Sequence, residues 1–295
     1  MIYTVTFNPA IDYVMKTNDI KAGQTNRSEY EKLYFGGKGI NVSYILSQLD
    51  INSTALGFIA GFTGDKLKCE VEKHGIKTDF VQLKNGFTRI NVKLKSDLET
   101  EINAQGPKIE NDEVEALFEK LDKLDCEDTL VLAGSIPSSL PSNVYEQIIK
   151  RLQHKNIRVV VDATKDLLTN TLKFKPFLIK PNKQELQEIF GKVFKSDDEI
   201  IKAGFDLQER GAKNVLISLS EDGAILIDEN KKVHKSKSLI KDAKNTVGAG
   251  DSMVAGFLAG VEKGYDYAFK LSLAAAGATA KSDNLALKEE ILSLI

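Results

Sequence analysis

Short runs of Val, Ile and Leu recur along the chain, at Ile2–Phe7, Thr129–Ala133, Arg158–Val161, Phe177–Ile179 and Val215–Leu219. Each is too short for a helix and almost unbroken in its apolar character, which predicts strands buried on both faces. Amphipathic stretches separate many of them. In 111–124 the apolar positions are Val114, Leu117, Phe118, Leu121 and Leu124. That is the spacing of one helical face, with Asn111 expected as N-cap and Asp112 and Glu113 in the first turn. Buried strands alternating with helices predict an α/β fold whose central sheet is mostly parallel and covered on both sides.

One region departs from this pattern. From Thr88 to Lys95, Ile90, Val92 and Leu94 alternate with Arg89, Asn91, Lys93 and Lys95, and the turn Ser96-Asp97 leads into 99–104. Strict alternation predicts a hairpin with one apolar and one wet face. Residues 14–35 show no helical spacing and are expected to add strands beside it. A small β-layer is thus predicted as a lid, from excursions at about 12–35 and 87–106, within a single domain spanning 1–295. No internal repeat or low-complexity tract interrupts the chain.

The sharpest chemical signal is the stretch 245–252, Asn-Thr-Val-Gly-Ala-Gly-Asp-Ser. Met253, Val254, Phe257, Leu258 and Val261 follow with helical spacing, so Gly248-Ala249-Gly250 opens a helix. Backbone N–H groups and the helix dipole there suit an anion. Asp251 in the first turn is either an ordinary stabilising residue or a carboxylate set beside an anion hole to receive a proton. The helix N-terminus is expected to lower its pKa. Phosphoryl transfer tolerates a weak base, because the hydroxyl proton leaves late.

A second glycine cluster, 36–43, also precedes helical spacing, at Val42, Ile45, Leu46 and Leu49. It matches neither the P-loop nor the dinucleotide fingerprint G-x-G-x-x-G, which disfavours a dinucleotide oxidoreductase. Lys38 places an ammonium among exposed backbone donors, which suits a phosphate or sugar hydroxyls. Asn8, Asp12, Ser135, Asp162 and Lys180-Pro181-Asn182 each follow an apolar strand. In a parallel sheet these positions share the carboxyl rim, where ligands bind. His74, His154 and His234 have no partner at a metal or triad spacing and are expected at the surface. Cys69 and Cys126 are expected as buried hydrophobes. Lys231, Lys232, Lys235 and Lys237 read as a solvated edge.

Composition narrows the classes. With 42% hydrophobic content over 295 residues the chain can bury a sizeable core. Forty basic against forty-two acidic residues leave a net charge of −2, which argues against a nucleic-acid partner. No apolar run is long enough to span a bilayer, so no membrane partner is expected. The opening 14 residues lack a basic segment and carry Pro9 and Asp12, so no secretory leader is expected. Two cysteines make no disulfide framework, and the cytoplasm is the expected compartment.

Taken together, Gly36–Ser43 and Thr246–Asp251 resemble the two signature motifs of the ribokinase-like, phosphofructokinase B sugar kinases. The resemblance extends to Asn8–Asp12, Gly61–Asp65, Thr88–Asn91, Gly134–Pro137 and Lys180–Glu185, in family order and over essentially the whole chain. It implies a ribokinase-like three-layer fold with a β lid that forms a homodimer contact in many relatives. It further implies ATP-dependent, magnesium-requiring phosphorylation of a ketohexose monophosphate, most simply fructose 1-phosphate. Tagatose-6-phosphate kinase and a non-catalytic sugar-phosphate sensor on the same fold are the alternatives. Asp251 would then be the catalytic base, with Gly248, Ala249 and Gly250 as the anion hole. Asp12, Gly37 and Asn41 would hold sugar hydroxyls, while Lys38, Arg89, Ser135 and Asn91 would meet the phosphate already on the sugar. Asn182 and Glu185 would organise Mg2+ through water. The nucleotide would lie along Ser218, Ser220 and Gly223, near Lys180, Asn182, Thr246, Gly248, Gly250 and Asn284. Two positions depart from the family pattern: Asn245 stands where Asp is usual, and Ser220 where glycine is common.

Overall fold

A computed structural model describes residues 1–18, 20–241, 243–244 and 247–295. In chain order, β1 (Ile2–Thr6), β2 (Ala10–Lys16) and β3 (Tyr30–Gly36) lead into helix α1 (Lys38–Gln48) and β4 (Ser53–Ile59). Helix α2 (Gly61–Lys73) is followed by the short β5 (Lys77–Thr78) and β6 (Val81–Gln82), then by β7 (Arg89–Lys95) and β8 (Thr100–Ile102). Next come α3 (Asn111–Leu121), β9 (Thr129–Ala133), α4 (Val144–Leu152), β10 (Arg158–Asp162), α5 (Lys165–Thr169) and β11 (Leu178–Ile179). Helices α6 (Lys183–Phe190) and α7 (Asp197–Glu209) precede β12 (Asn214–Ser218), β13 (Ala224–Ile227) and β14 (Val233–Ser236). The chain closes with α8 (Ala249–Gly260), α9 (Tyr265–Lys281) and α10 (Lys288–Leu292).

The large sheet runs β14-β13-β12-β11-β10-β9-β1-β4-β5 and is parallel from β12 to β5; β13 and β14 add an antiparallel edge. Its strands are buried on both faces because each alternates between two apolar layers. Leu130, Leu132, Val159, Val161, Val215 and Ile217 face one layer, built with α3, α4, α6 and α7. Val131, Ala133, Val160, Leu216 and Leu226 face the other, built with α1, α8 and α9. A period of two on each strand therefore generates three layers. The lysines of 231–237 lie on and beside edge strand β14, where charge blocks further strand pairing.

A separate sheet in the order β3-β2-β7-β8 is the lid. Strands β2 and β7 are parallel, with Asp12 opposite Asn91, and β3 is antiparallel, with Tyr34 opposite Asp12. The apolar face of the predicted hairpin packs at its base, where Ile90 joins Ile11, Ile40, Ile59 and Leu67. Its polar face is wet at the outer end, where Lys95 is exposed, and withdrawn from water nearer the cleft. Asn91 is 6% exposed, its amide donates to Asp12 Oδ1 at 2.8 Å, and its own Oδ1 accepts from the Ala104 N–H. Lys93 pairs with Glu101 at 3.2 Å and with Asp12 at 3.6 Å. Asn91, Lys93 and Asp12 thus satisfy one another beside the cleft.

Three smaller expectations are corrected. Helix α3 is entered one residue earlier than predicted, at Glu110, whose N–H donates to the Glu113 carboxylate. Both cysteines are exposed rather than buried. His234 is buried, at 7% exposure, because Asp228 Oδ2 lies 2.8 Å from Nε2 and Asp266 Oδ1 lies 2.9 Å from Nδ1. Asp228 precedes the β13–β14 turn and Asp266 stands on α9, so no sequence spacing announced the contact.

Candidate active site

A cleft of about 1100 Å³ opens at the carboxyl ends of β1, β9, β10 and β12, under the lid and across the start of α8. That is room for two ligands the size of a nucleotide and a sugar phosphate, above the usual range for one small molecule. Two helix N-termini point into it. Gly37 enters α1 at φ 135, and a Cβ there would stand 2.5 Å from Thr6 Cγ2. Gly248 enters α8 in the left-handed region at φ 80, where a Cβ would stand 2.4 Å from Leu285 Cδ2. Both positions admit glycine alone without rearrangement. The opening amides of α8, at Ala249 and Gly250, line the cleft with orphan donors and the positive end of the helix dipole.

Asp251 is 5% exposed and accepts a 2.8 Å hydrogen bond from Asn41 Nδ2, which ties α8 to α1. Its carboxyl is pushed up to about 6, first by burial and then by the charge of Asp162; Lys38, Asn41 and Lys180 oppose the shift. The helix N-terminus was expected to lower this pKa. Desolvation wins, since the carboxylate is almost wholly withdrawn from water.

Lys38 and Lys180 share one oxygen of Asp162, at 3.3 and 3.4 Å. Burial alone would lower the Lys38 ammonium, but Asp162, Asp251 and Glu185 together hold it above its usual value. Asp162 itself is wholly buried; the two lysines outweigh the cost of burial and keep it charged. Lys180 lies against the start of α8, its Nζ 3.1 Å from where a Gly250 Cβ would stand.

Arg89 occupies the lid side. Its guanidinium donates to the Asn8 carbonyl at 2.9 and 3.1 Å and to the Ala104 carbonyl at 3.2 Å. Burial lowers its pKa, with Asp12 partly offsetting. It makes no ion pair with an acidic side chain among the described residues, so its charge is available to an anion. Asp12, Asn91 and the exposed Ser135 line the same space. Lys38 and Arg89, both expected at the sugar's phosphate, line the same cleft; Lys38 contacts Asp162, and Arg89 contacts the Asn8 and Ala104 carbonyls.

Asn182 caps α6 and forms a reciprocal box with Glu185. Glu185 N–H donates to Asn182 Oδ1, and Asn182 N–H to Glu185 Oε2, each at 2.8 Å. Asn182 also bridges to Ser218 at the end of β12. Ser218, Ser220 and Gly223 line the far wall of the cleft. Ser220 sits in the left-handed region at φ 55, a conformation glycine adopts more easily, which explains why its residue type stood out. Thr246 and Asn245 lie outside the described residues. Asn284 lines an adjoining cavity beneath the lid, which shares Asp12, Gly37 and Asn41 with the main cleft. Sequence reading placed Asp162 on the rim without a role and gave Lys93 none; the alternation of 88–95 had already put Lys93 on the face of Arg89 and Asn91.

The arrangement brings together a carboxyl of raised proton affinity, a helix N-terminus suited to an anion, and three cations. Known proteins share the chain's sequence and fold. The 1-phosphofructokinase of Bacillus subtilis (strain 168) is 45% identical over 297 residues, covering 100% of this chain and 97% of that one. The D-tagatose-1-phosphate kinase of Bacillus licheniformis is 36% identical over 265 residues, covering 90% and 86%. The crystal structure of Escherichia coli phosphofructokinase-2 with substrates and products superimposes with a TM-score of 0.93 at 26% identity, covering 99% and 97%. Residues 4–290 match the pfkB family of carbohydrate kinases, and the chain belongs to that family.

Proposed function

We propose that this enzyme, a ketohexose-phosphate kinase of the 1-phosphofructokinase type, transfers the γ-phosphoryl group of ATP to the 6-hydroxyl of fructose 1-phosphate. The observation that carries the assignment is Asp251. It is a buried carboxylate with a pKa of about 6, fixed by Asn41 at the mouth of the α8 anion site. A sugar-phosphate sensor needs no such group. The 45% identity to a 1-phosphofructokinase across the whole chain favours the fructose substrate, and both curated relatives above are named for sugars phosphorylated at carbon 1.

In this reading the sugar lies under the lid, its hydroxyls on Asp12, Gly37 and Asn41 and its resident phosphate on Arg89, Asn91 and Ser135. The attacking hydroxyl gives its proton to Asp251. The amides of Gly248, Ala249 and Gly250 hold the phosphoryl group as it moves, and Lys38 and Lys180 neutralise its charge. ATP extends along Ser218, Ser220 and Gly223, with Thr246 and Asn284 as further contacts. No group of three or more His, Cys, Asp or Glu among the described residues can cage a metal. Glu185 spends Oε2 on the cap of α6, which leaves Oε1 for a metal-bound water. One carboxylate fits a hydrated Mg2+ delivered on the nucleotide, which would neutralise charge on its phosphates. Leu33 and Ile102, 45% and 59% exposed on the lid, are the proposed contact of a homodimer. No helix among the described residues is long and apolar enough to cross a membrane; a cytoplasmic enzyme of one kinase domain is the accompanying proposal.

A coupled ADP-release assay over fructose 1-phosphate, tagatose 1-phosphate, tagatose 6-phosphate and fructose 6-phosphate tests the assignment. The highest kcat/KM is expected with fructose 1-phosphate. ADP release that no sugar phosphate stimulates would defeat it.

A further inference from the structure

Lys38 arrives from the first turn of α1 and Lys180 from the residue after β11, two elements with no other reason to meet. Their ammonium groups converge on Asp162 Oδ1. Asp162 ends β10, opposite Ala133, and its side chain has no exposed surface. Its second oxygen is buried and has no hydrogen-bond partner. An orphaned carboxylate oxygen in a closed site is unfavourable and calls for a compensating role.

We propose that Asp162 is a positioning residue for phosphoryl transfer: by sharing one oxygen, it holds the Lys38 and Lys180 ammonium groups side by side at the entrance of α8. The proposal rests on the kinase reading above. Two ammonium groups this close repel, and without a common anion they would splay across the cleft. They would still attract phosphates, but not in the register that in-line transfer requires. The same carboxylate faces Asp251 and helps to raise its proton affinity. The other groups around this centre are Glu185 of α6, which acts on Lys38, and Tyr145 of α4, whose phenol Asp162 helps to hold neutral.

Simple charge balance and positioning predict different kinetics. If Asp162 merely balanced charge, its loss would lower stability and leave the kcat of the folded fraction unchanged. If it positions the lysines, Asp162→Asn lowers kcat while ATP binds as well or better, because two cations lose their fixed counter-charge. Asp162→Asn, Lys38→Met and the double variant are to be assayed with ATP and fructose 1-phosphate. For Asp162→Asn a kcat loss of roughly 10- to 100-fold is expected, as for a misplaced electrostatic group, with an ATP KM equal to or below wild type. In the double variant the loss should fall well short of the product of the single losses. A single-variant kcat within about threefold of wild type, a raised ATP KM, or fully multiplicative losses overturns the proposal. Should Asp162→Asn not fold, the double variant removes one positive and one negative charge and carries the test. A kcat near that of Lys38→Met then supports positioning, and a further tenfold loss refutes it. A wild type inert toward every sugar phosphate overturns the kinase reading itself, whereas an active wild type with an unaffected Asp162→Asn overturns this inference alone.

Discussion

Asp251→Asn should cripple the enzyme and make it harder to unfold. The carboxyl titrates at about 6 in the folded protein against 3.8 when unperturbed. At pH 7 the folded state thus carries an anion disfavoured by about two pK steps. At 1.36 kcal/mol per step this costs on the order of 3 kcal/mol, which an uncharged isostere removes. The pH dependence has a definite sign. Above pH 6 wild-type Asp251 is ionised both folded and unfolded, and the advantage of the variant is full. Between pH 6 and 3.8 the folded wild type takes up its proton before the unfolded chain does, and the advantage shrinks. Below 3.8 it is gone. Urea melts of the two proteins at pH 7 and pH 5 read this directly, with the gap at pH 5 about half that at pH 7. The thermal midpoint at pH 7 should rise by about 5 °C, while kcat falls by on the order of 10²–10⁴. A variant no more stable than wild type at pH 7 would refute the desolvation argument, and near-normal turnover in folded protein would refute the role.

The acid limb of kcat/KM should bend near pH 6 in the wild type, because Asp251 accepts a proton only when ionised; a limb near pH 4 would show that burial does not set its pKa. Arg89→Ala should raise the sugar-phosphate KM by roughly 10- to 100-fold through loss of charge-assisted bonds, with the ATP KM little changed, whereas Lys38→Ala should act mainly on kcat. An unchanged ratio of kcat/KM for fructose 1-phosphate over free fructose in Arg89→Ala would move the phosphate site elsewhere. Activity should vanish with EDTA and return with magnesium, and Glu185→Ala should raise the magnesium requirement without altering the sugar KM; stoichiometric metal retained after dialysis would contradict a nucleotide-borne ion. His234→Ala leaves the 2% exposed Asp228 short of a partner and should cost about 1–3 kcal/mol in a urea melt with kcat intact.

Much of this was readable from residue pattern. Unbroken apolar strands gave the parallel sheet, alternation in 88–95 gave the lid, and glycines before helical spacing gave both N-termini. Strand β4, Ser53–Ile59, escaped because threonine, alanine and glycine dilute its apolar run, although six of its seven residues are buried. What stayed hidden depends on distance in the sequence. Asp162 and Lys38 are 124 positions apart, and His234 meets Asp266 across 32. The pKa of Asp251 was misjudged for a related reason: its helix position is local and visible, while the burial that overrides it exists only in the folded chain.

The lid pairing has a consequence for how such an enzyme changes its diet. Asp12, Tyr34 and Asn91 stand at one register level of a four-stranded sheet, and Arg89 lies one step along the same face. The proposed proton acceptor and phosphoryl cradle belong to helices and strand ends of the other sheet. Much of the proposed sugar recognition is thus written on a different piece of backbone from the reaction, with Gly37, Asn41 and Ser135 serving the sugar from the core side. Drift in a handful of lid codons can retune which ketose is accepted while the transfer machinery is inherited intact, and grafted lids offer a direct route to altered sugar preference.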